Sequence, residues 1–244
     1  MQLFTCSRKI HETPGVSNLE DTITGVEFYS NVKSSEVEWI WYPYIPCGKI
    51  TILQGDPGEG KSTLIIHIAA ILTKGGYLPD GQKIKKPEIV IYQCSEDGKG
   101  DTIKPRLEQA GADCNRVAFI KDDNGELTLE DERIKTAINQ IGAKMIVLDP
   151  IQAFIGHNGN MTNAVKMRET LSKLSKVAEE TNCAIVLVGH MTKSSGGKQI
   201  YRGLGSIDIA ATARSILMVS RDKEEPWKRY MFPVKSSLAP EGEP

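Results

Sequence analysis

From about residue 37 onward, short and almost continuously apolar runs alternate with amphipathic segments. The runs are rich in β-branched residues and end at Gly, Pro or polar turns, which is typical of buried strands. The segments between them repeat apolar positions every three or four residues, which predicts helices with one buried stripe. The predicted strands are 37–46 (an edge strand), 49–54, 88–94, 116–120, 143–149, 183–189, 214–220 and 229–235, and the predicted helices are 61–74, 101–111, 127–142 (with Thr128 as N-cap) and 163–181.

This alternation predicts an α/β fold in three layers, with a mostly parallel central sheet covered by helices on both faces. Ligands of such sheets bind outside the carboxyl ends of the strands, so we expect the chemically active residues directly after strands. Residues 37–244 are predicted to form this domain. Residues 1–36 are polar and without a sustained period; an arm or linker that docks on a neighbour and a disordered terminus are both open.

Composition excludes several classes of protein. The 244 residues carry 30 Lys+Arg and 31 Asp+Glu, with 40% hydrophobic and 25% charged residues, which excludes a disordered chain, a collagen repeat and a coiled-coil rod. A net charge of −1 argues against a polycation, so any contact with nucleic acid needs a local basic patch. There is no apolar run of the ~18–20 residues that a membrane span needs, and no signal-peptide core at the N-terminus. The five scattered cysteines form no C-x-x-C pair, so we predict reduced thiols in a cytoplasmic protein without disulfides, a zinc site or a membrane partner.

Residues 55–62 read G-D-P-G-E-G-K-S, directly after a predicted strand and at the start of a predicted helix. In this context the pattern G-x-x-x-x-G-K-S indicates a loop whose backbone N–H groups cradle phosphates at a helix N-terminus. Lys61 can then reach the β- and γ-phosphates, and the Ser62 hydroxyl can bind Mg²⁺. The alternative is a Gly/Pro turn before an ordinary helix. The predicted nucleotide-binding residues are Gly55, Asp56, Pro57, Gly58, Glu59, Gly60, Lys61, Ser62 and Thr63.

Three further strands end in residues that suit the same chemistry. Asp149 follows the strand KMIVL and can hold Mg²⁺, unless it only starts a turn. Glu96 follows EIVIYQCS and can orient the attacking water, with Asp97 in reserve; the alternative is a solvated loop acid. His190 follows AIVLVG and can sense the γ-phosphate, unless the nearby backbone satisfies it.

Two loops and one charged run complete the candidate features. The loops 156–162 and 191–201 are rich in Gly and carry sparse basic residues, which suits sequence-independent binding of a phosphate backbone; ordinary mobile loops are the alternative. The run 221–225, R-D-K-E-E, is predicted to be a solvated hairpin tip.

With these motifs in place, residues 37–238 resemble the RecA-like P-loop ATPases, a group within the AAA-family ATPases. The resemblance is closest to the branch of the plasmid RepA-type hexameric replicative helicases and the related phage and plasmid ATPases. It implies the three-layer RecA-like P-loop NTPase fold. The segments that carry it are PYIPCGKITILQGDPGEGKSTL, IYQCSED, DTIKPRL, MIVLDPIQAF, VLVGHMTK and YRGLGSIDIAATARSILMV.

The resemblance also implies roles for single residues. Glu96 would be the catalytic carboxylate, and His190 would couple the γ-phosphate to a DNA-facing loop. Arg202 would be an arginine finger in the site of a neighbouring subunit, with Lys193 and Lys198 as alternatives. A site completed by a neighbour implies a homo-oligomer, and we expect a hexameric ring.

Together these observations predict an ATP-binding, Mg²⁺-dependent ATPase that acts as a motor on single-stranded DNA in replication. The predicted catalytic residues are Lys61, Glu96, His190 and Arg202, and the metal ligands are Ser62 and Asp149. Two other functions stay open: an ATPase switch of the clock or repair-regulator type that does not translocate, and a nucleotide-dependent scaffold that does not hydrolyse ATP.

Overall fold

The computed structural model describes residues 25–123, 125–156, 164–190 and 207–240. The chain divides into two compact units, residues 1–36 and 37–244. In the first unit, the described part contains a single 3₁₀ turn at Tyr29–Asn31, and none of its residues is buried. The assignment of this unit as an arm stays a prediction.

The second unit contains a seven-stranded sheet in the order β11-β10-β3-β9-β8-β6-β7. All its strands are parallel except β11, which pairs antiparallel with β10. Two small antiparallel ladders, β1–β2 and β4–β5, lie outside this sheet. The strands are β1 (Trp39–Trp41), β2 (Ile45–Pro46), β3 (Ile50–Gly55), β4 (Gly76–Tyr77), β5 (Lys83–Ile84), β6 (Ile89–Cys94), β7 (Val117–Ala118), β8 (Ala143–Asp149), β9 (Ala184–His190), β10 (Ser215–Arg221) and β11 (Arg229–Ser236).

Helices cover both faces of the sheet, as the alternation predicts. No helix of the described ranges is long and apolar enough to span a bilayer. A π-helical turn at Lys99–Ile103 leads into the second helix, and a 3₁₀ turn at Ile151–Phe154 follows β8. The helices are α1 (Lys61–Lys74), α2 (Lys104–Gln109), α3 (Glu132–Ile141), α4 (Ala164–Thr181) and α5 (Ile207–Thr212).

Two hydrophobic cores lie on the two faces of the sheet. Alternation along a strand sends Ile52 to one face and Leu53 to the other. The core of α1 and α2 contains Ile68 and Leu107, and the core of α3 and α4 contains Ile138. The predicted three-layer α/β architecture is confirmed.

Apart from the start of α3, the long elements agree with their predicted bounds to within one or two residues, but the shorter ones do not. The segment 37–46 forms the separate β1–β2 ladder and not an edge strand of the main sheet. The predicted strand 116–120 shortens to the two residues of β7. The ladder β4–β5 and the helix α5 carry little periodic signal and were not predicted.

The predicted N-cap Thr128 is wrong. Helix α3 begins at Glu132, and the Asp131 carboxylate accepts a hydrogen bond from the Arg133 N–H at 2.9 Å. Leu127 and Leu129 are both buried in the core. The chain before Asp131 is therefore not helical and forms a turn at Leu129 and Glu130, because burial of these leucines outweighs the local helical preference.

Candidate nucleotide-binding site

Residues 55–60 connect the carboxyl end of β3 to the first residue of α1. At two positions of this loop the backbone geometry requires glycine. Gly60 has φ of 93°, in the left-handed region where side chains are strained. A Cβ atom on Gly55 would lie 2.4 Å from the Val219 carbonyl oxygen of β10. Any side chain there would collide with backbone, so β3 and β10 can approach only because this position is Gly.

The Lys61 side chain forms hydrogen bonds with the backbone of this loop. Its Nζ donates hydrogen bonds to the carbonyl oxygens of Gly55 and Asp56, each at 2.8 Å. Burial lowers the pKa of Lys61 below its ordinary value, while nearby carboxylates, Asp149 first among them, act to raise it. An ammonium group is thus held at the N-terminus of α1, where the helix backbone already favours anions.

Asp149 ends β8 and is almost fully buried, at 5% exposure. The Tyr92 hydroxyl of the neighbouring strand β6 donates a hydrogen bond to Asp149 Oδ2 at 2.8 Å. Burial raises the pKa of Tyr92 above its ordinary value, and the charge and hydrogen bond of Asp149 raise it further. Tyr92 therefore stays protonated and fixes the orientation of the carboxylate.

Asp149 and Ser62 carry oxygen donors of the kind that Mg²⁺ prefers. Ser62 lies in the first turn of α1, next to Lys61, and its side chain is half-buried. Within the described ranges no group of three or more His, Cys, Asp or Glu could hold a metal ion. Mg²⁺ commonly takes one or two protein oxygens together with phosphate oxygens and water, so this sparse donor set suits it.

The two carboxylates after β6 have different surroundings. Glu96 is exposed, and its carboxylate forms no hydrogen bond or ion pair with the described residues. Asp97 forms an ion pair with Arg106 of α2 at 2.7 Å. Glu96 is also one of the acids whose charge acts on the Lys61 ammonium. The fold therefore brings Lys61, Asp149 and Glu96 to one edge of the sheet.

His190 lies at the same edge. It is the last residue of β9 and is directly opposite Gly55 in the parallel ladder. Its Nδ1 atom is buried and has no hydrogen-bond partner in the described part of the chain. The predicted residues Arg202, Lys193 and Lys198 lie outside the described residues, as does most of both Gly-rich loops.

Comparison with known proteins agrees with this geometry. A family model described as an AAA domain matches residues 16–196. The chain belongs to this AAA-domain family. Its sheet and its G-x-x-x-x-G-K-S loop make it a RecA-like P-loop ATPase domain.

This AAA-domain chain is also similar to curated proteins named DNA repair protein RadA. It is 27% identical to the RadA of Chlamydia muridarum over 61% of this chain and 29% of that protein. It is 28% identical to the RadA of Streptococcus pyogenes serotype M3 over 60% of this chain and 28% of that protein. It is 25% identical to the RadA of Streptococcus pneumoniae over 72% of this chain and 36% of that protein. The chain thus spans about a third of the length of these relatives.

Two residues of this AAA-domain site were missed by the sequence reasoning. Tyr92 could have been noticed as a hydroxyl within a mostly apolar strand. Arg221 is the last residue of β10, and its Nη2 donates to the Gly58 carbonyl oxygen at 2.7 Å. The run 221–225 is at the hairpin of β10 and β11, as predicted, and Arg221 is exposed; the prediction did not include its contact with the loop 55–60. Since β10 runs parallel to β3, the rule that found Asp149 also applied to Arg221.

Proposed function

We propose that this protein is an ATP-hydrolysing, Mg²⁺-dependent motor that acts on single-stranded DNA. The observation that carries the ATPase part is the convergence of Lys61, Asp149 and Glu96 at one edge of the sheet. Hydrolysis of a triphosphate needs a cation for its phosphates, a metal ligand and a carboxylate for water. These three side chains supply that set.

The proposed roles follow from position. The N–H groups of the loop 55–60 and the Lys61 ammonium bind the phosphates, and Ser62 and Asp149 hold Mg²⁺. The metal, when bound, would neutralise part of the charge of the phosphates. Exposed Glu96 orients or deprotonates the attacking water. His190, opposite Gly55 in the ladder, senses the γ-phosphate before the chain enters the loop 191–201.

The DNA part of the proposal is supported by two similarities. The sequence resembles the RepA-type helicases, and the curated relatives are named DNA repair proteins. The proposed substrate is therefore single-stranded DNA in replication or repair, bound by the loops 156–162 and 191–201.

The test is ATP turnover with and without single-stranded DNA. Lys61→Ala should abolish turnover, because the phosphates lose their main cation. Lys74→Ala is the matched control, since Lys74 is an exposed lysine at the other end of the same helix. Turnover that single-stranded DNA stimulates in the wild type and in the control supports the motor. Turnover in Lys61→Ala equal to that of the wild type would refute the site.

We also propose that Arg202 completes the site of a neighbouring subunit in a hexameric ring. Arg202→Ala alone and Lys61→Ala alone should both be inactive. A mixture should recover part of the turnover, because some interfaces combine an intact loop with an intact arginine. Absence of recovery, together with a monomeric mass in solution, would contradict a shared site.

A second candidate is an ATPase switch of the repair-regulator type, in which hydrolysis times assembly and nothing translocates. The similarity to proteins named for DNA repair favours it. Turnover that is unchanged by single-stranded DNA, with nucleotide-dependent changes in mass, would support the switch over the motor.

A further inference from the structure

The P-loop of this protein carries a net negative charge, although a triphosphate site has to bind a polyanion. Between Gly55 and Ser62 it contains two carboxylates, Asp56 and Glu59, and only one cation, Lys61. The charges of both acids act on the Lys61 ammonium, so both lie near the place where phosphates would bind. Like charges at short range repel, which would weaken the binding of a polyanion.

Arg221 contacts the part of the loop that carries the Glu59 carboxylate. Its guanidinium donates to the Gly58 carbonyl oxygen at 2.7 Å, and its backbone N–H donates to the Glu59 carboxylate. The two contacts bind the loop apex to the end of β10. They also hold the Glu59 carboxylate at the backbone of an arginine.

Arg229 approaches the same loop from the neighbouring strand. It is opposite Arg221 in the antiparallel ladder of β10 and β11. Its Nε atom lies 3.2 Å from the place that a Cβ atom on Gly60 would occupy. Two arginines from one hairpin therefore lie against consecutive parts of the P-loop.

The turn between these strands is closed by its own hydrogen bonds. The Asp222 carboxylate accepts the N–H groups of Glu224 and Glu225, both at 2.8 Å, and the Asp222 N–H donates to the Lys228 carbonyl oxygen at 3.2 Å. These N–H groups lower the pKa of Asp222 below its ordinary value, so the carboxylate stays ionised as the acceptor. The turn thus presents Arg221 in a defined position.

We propose that Arg221 is a positioning residue of the nucleotide site, which fixes the apex of the P-loop and offsets the charge of Glu59. This inference rests on the proposed function of the loop as a triphosphate site. Arg221 acts through Gly58 and Glu59 and not on the nucleoside. It therefore sets the affinity for the triphosphate group itself, with little effect on the chemical step.

The first test compares Arg221→Ala with Lys223→Ala. Lys223 is a matched control in the same turn, exposed and without a hydrogen bond or ion pair to the described residues. Arg221→Ala should raise KM for MgATP about tenfold, the size expected for a lost charge-assisted hydrogen bond, and leave kcat within about twofold. The KM of Arg221→Lys should lie between those of Arg221→Ala and Lys223→Ala, because lysine keeps the charge without the planar guanidinium group.

Inorganic tripolyphosphate separates this role from a contact with the nucleoside. As a competitor of ATP it should also bind about tenfold more weakly to Arg221→Ala, because it uses the same P-loop. Weaker binding of ATP with unchanged binding of tripolyphosphate would overturn the inference. A KM in Arg221→Ala equal to that of Lys223→Ala would overturn it as well.

A double-mutant cycle tests the part played by Glu59. Glu59→Gln removes the negative charge and keeps an oxygen that can accept from the Arg221 N–H. In the Arg221→Ala background this change should recover much of the lost affinity, so the two changes should not be additive. Additive effects would show that Arg221 does not offset Glu59.

Hydrogen exchange in the protein without nucleotide gives a readout that does not depend on the proposed function. Peptides that span residues 55–62 should exchange faster in Arg221→Ala than in Lys223→Ala, since the loop apex loses its contact with β10. Equal exchange in the two variants would refute the positioning role, even if ATP turnover is confirmed. Faster exchange in a protein that binds no ATP would refute only the nucleotide site.

Discussion

The ends of β8 and β6 are neighbours in the sheet, yet they present their carboxylates in opposite ways. Asp149 is buried, and the Tyr92 hydroxyl holds one of its oxygens. Glu96, after β6, is exposed, and its carboxylate has no partner among the described residues. Asp97, next to it, is bound to Arg106 on the outside of the domain.

This difference suits two different tasks. A metal ligand works best when it is fixed before the metal arrives, because no ordering is then needed on binding. A carboxylate that orients water needs contact with solvent and with the phosphate only during the reaction. The contrast therefore predicts which substitutions affect metal dependence and which affect the chemical step.

The largest expected effect is that of Asp149→Asn. Loss of the buried negative charge should reduce Mg²⁺-dependent ATP turnover by about 100-fold or more and raise the Mg²⁺ concentration that is needed. Turnover measured against Mg²⁺ concentration checks this. Asp131→Ala is the control: it removes the cap of α3, so it should cost about 1 kcal/mol of stability with normal turnover. If turnover of Asp149→Asn depended on Mg²⁺ concentration as in the wild type, the proposed difference between Asp149 and Glu96 would be refuted.

Glu96→Gln should come next, with a loss of about 100-fold in kcat and nearly unchanged nucleotide affinity, because the amide cannot accept the proton of water. Single-turnover kinetics with a separate binding assay measures both. Asp97→Asn should change kcat only slightly, since its ion pair with Arg106 is solvent-exposed and worth at most about 1 kcal/mol. If Asp97→Asn were the more damaging variant, the reserve carboxylate would take the catalytic role.

Tyr92→Phe tests whether the fixed orientation of the Asp149 carboxylate matters for Mg²⁺ binding. The phenyl ring keeps the packing of β6 but cannot donate to Asp149. We expect apparent Mg²⁺ affinity to fall about fivefold, the effect of one lost hydrogen bond, with kcat at saturating Mg²⁺ close to that of the wild type. A large fall in kcat at saturating Mg²⁺ would mean that Tyr92 does more than orient the carboxylate.

The smallest effect is a pH dependence of stability. Because the pKa of Tyr92 is raised in the folded protein, the unfolded chain loses this proton at a lower pH than the folded one. The free energy of unfolding should therefore decrease as the pH rises above about 10, the ordinary value for tyrosine. Tyr92→Phe should lack this part of the decrease. Denaturant unfolding of both proteins at about pH 9 and about pH 11 gives the difference.

The sequence predicted the fold well wherever a long apolar period was present. Helix α1 and strand β8 have the predicted bounds because burial of a whole face dominates their local energetics. Short elements were less predictable. The start of α3 depends on the core burial of Leu127 and Leu129, which no capping rule contains.

The residues of the candidate site also differ in how far the sequence could predict them. Lys61 was found from the G-x-x-x-x-G-K-S motif, and Asp149 and Glu96 were found because they follow strands; the roles of all three remain predictions. The contacts of Tyr92 and Arg221 depend on which strands are neighbours, which is a property of the sheet order. Chain order alone places Arg221 far from Gly58, although the two are in hydrogen-bond contact.

The two edges of the central sheet have a consequence for self-association. At one edge β7 has only two residues. At the other, β11 contains Pro233, which lacks an N–H group, and the β10–β11 ladder is irregular between Ile216 and Leu217. Short, proline-containing and bulged edges are poor templates for a further strand. Fibril-like growth by strand addition is therefore disfavoured, and subunits that associate are expected to meet through side chains and loops.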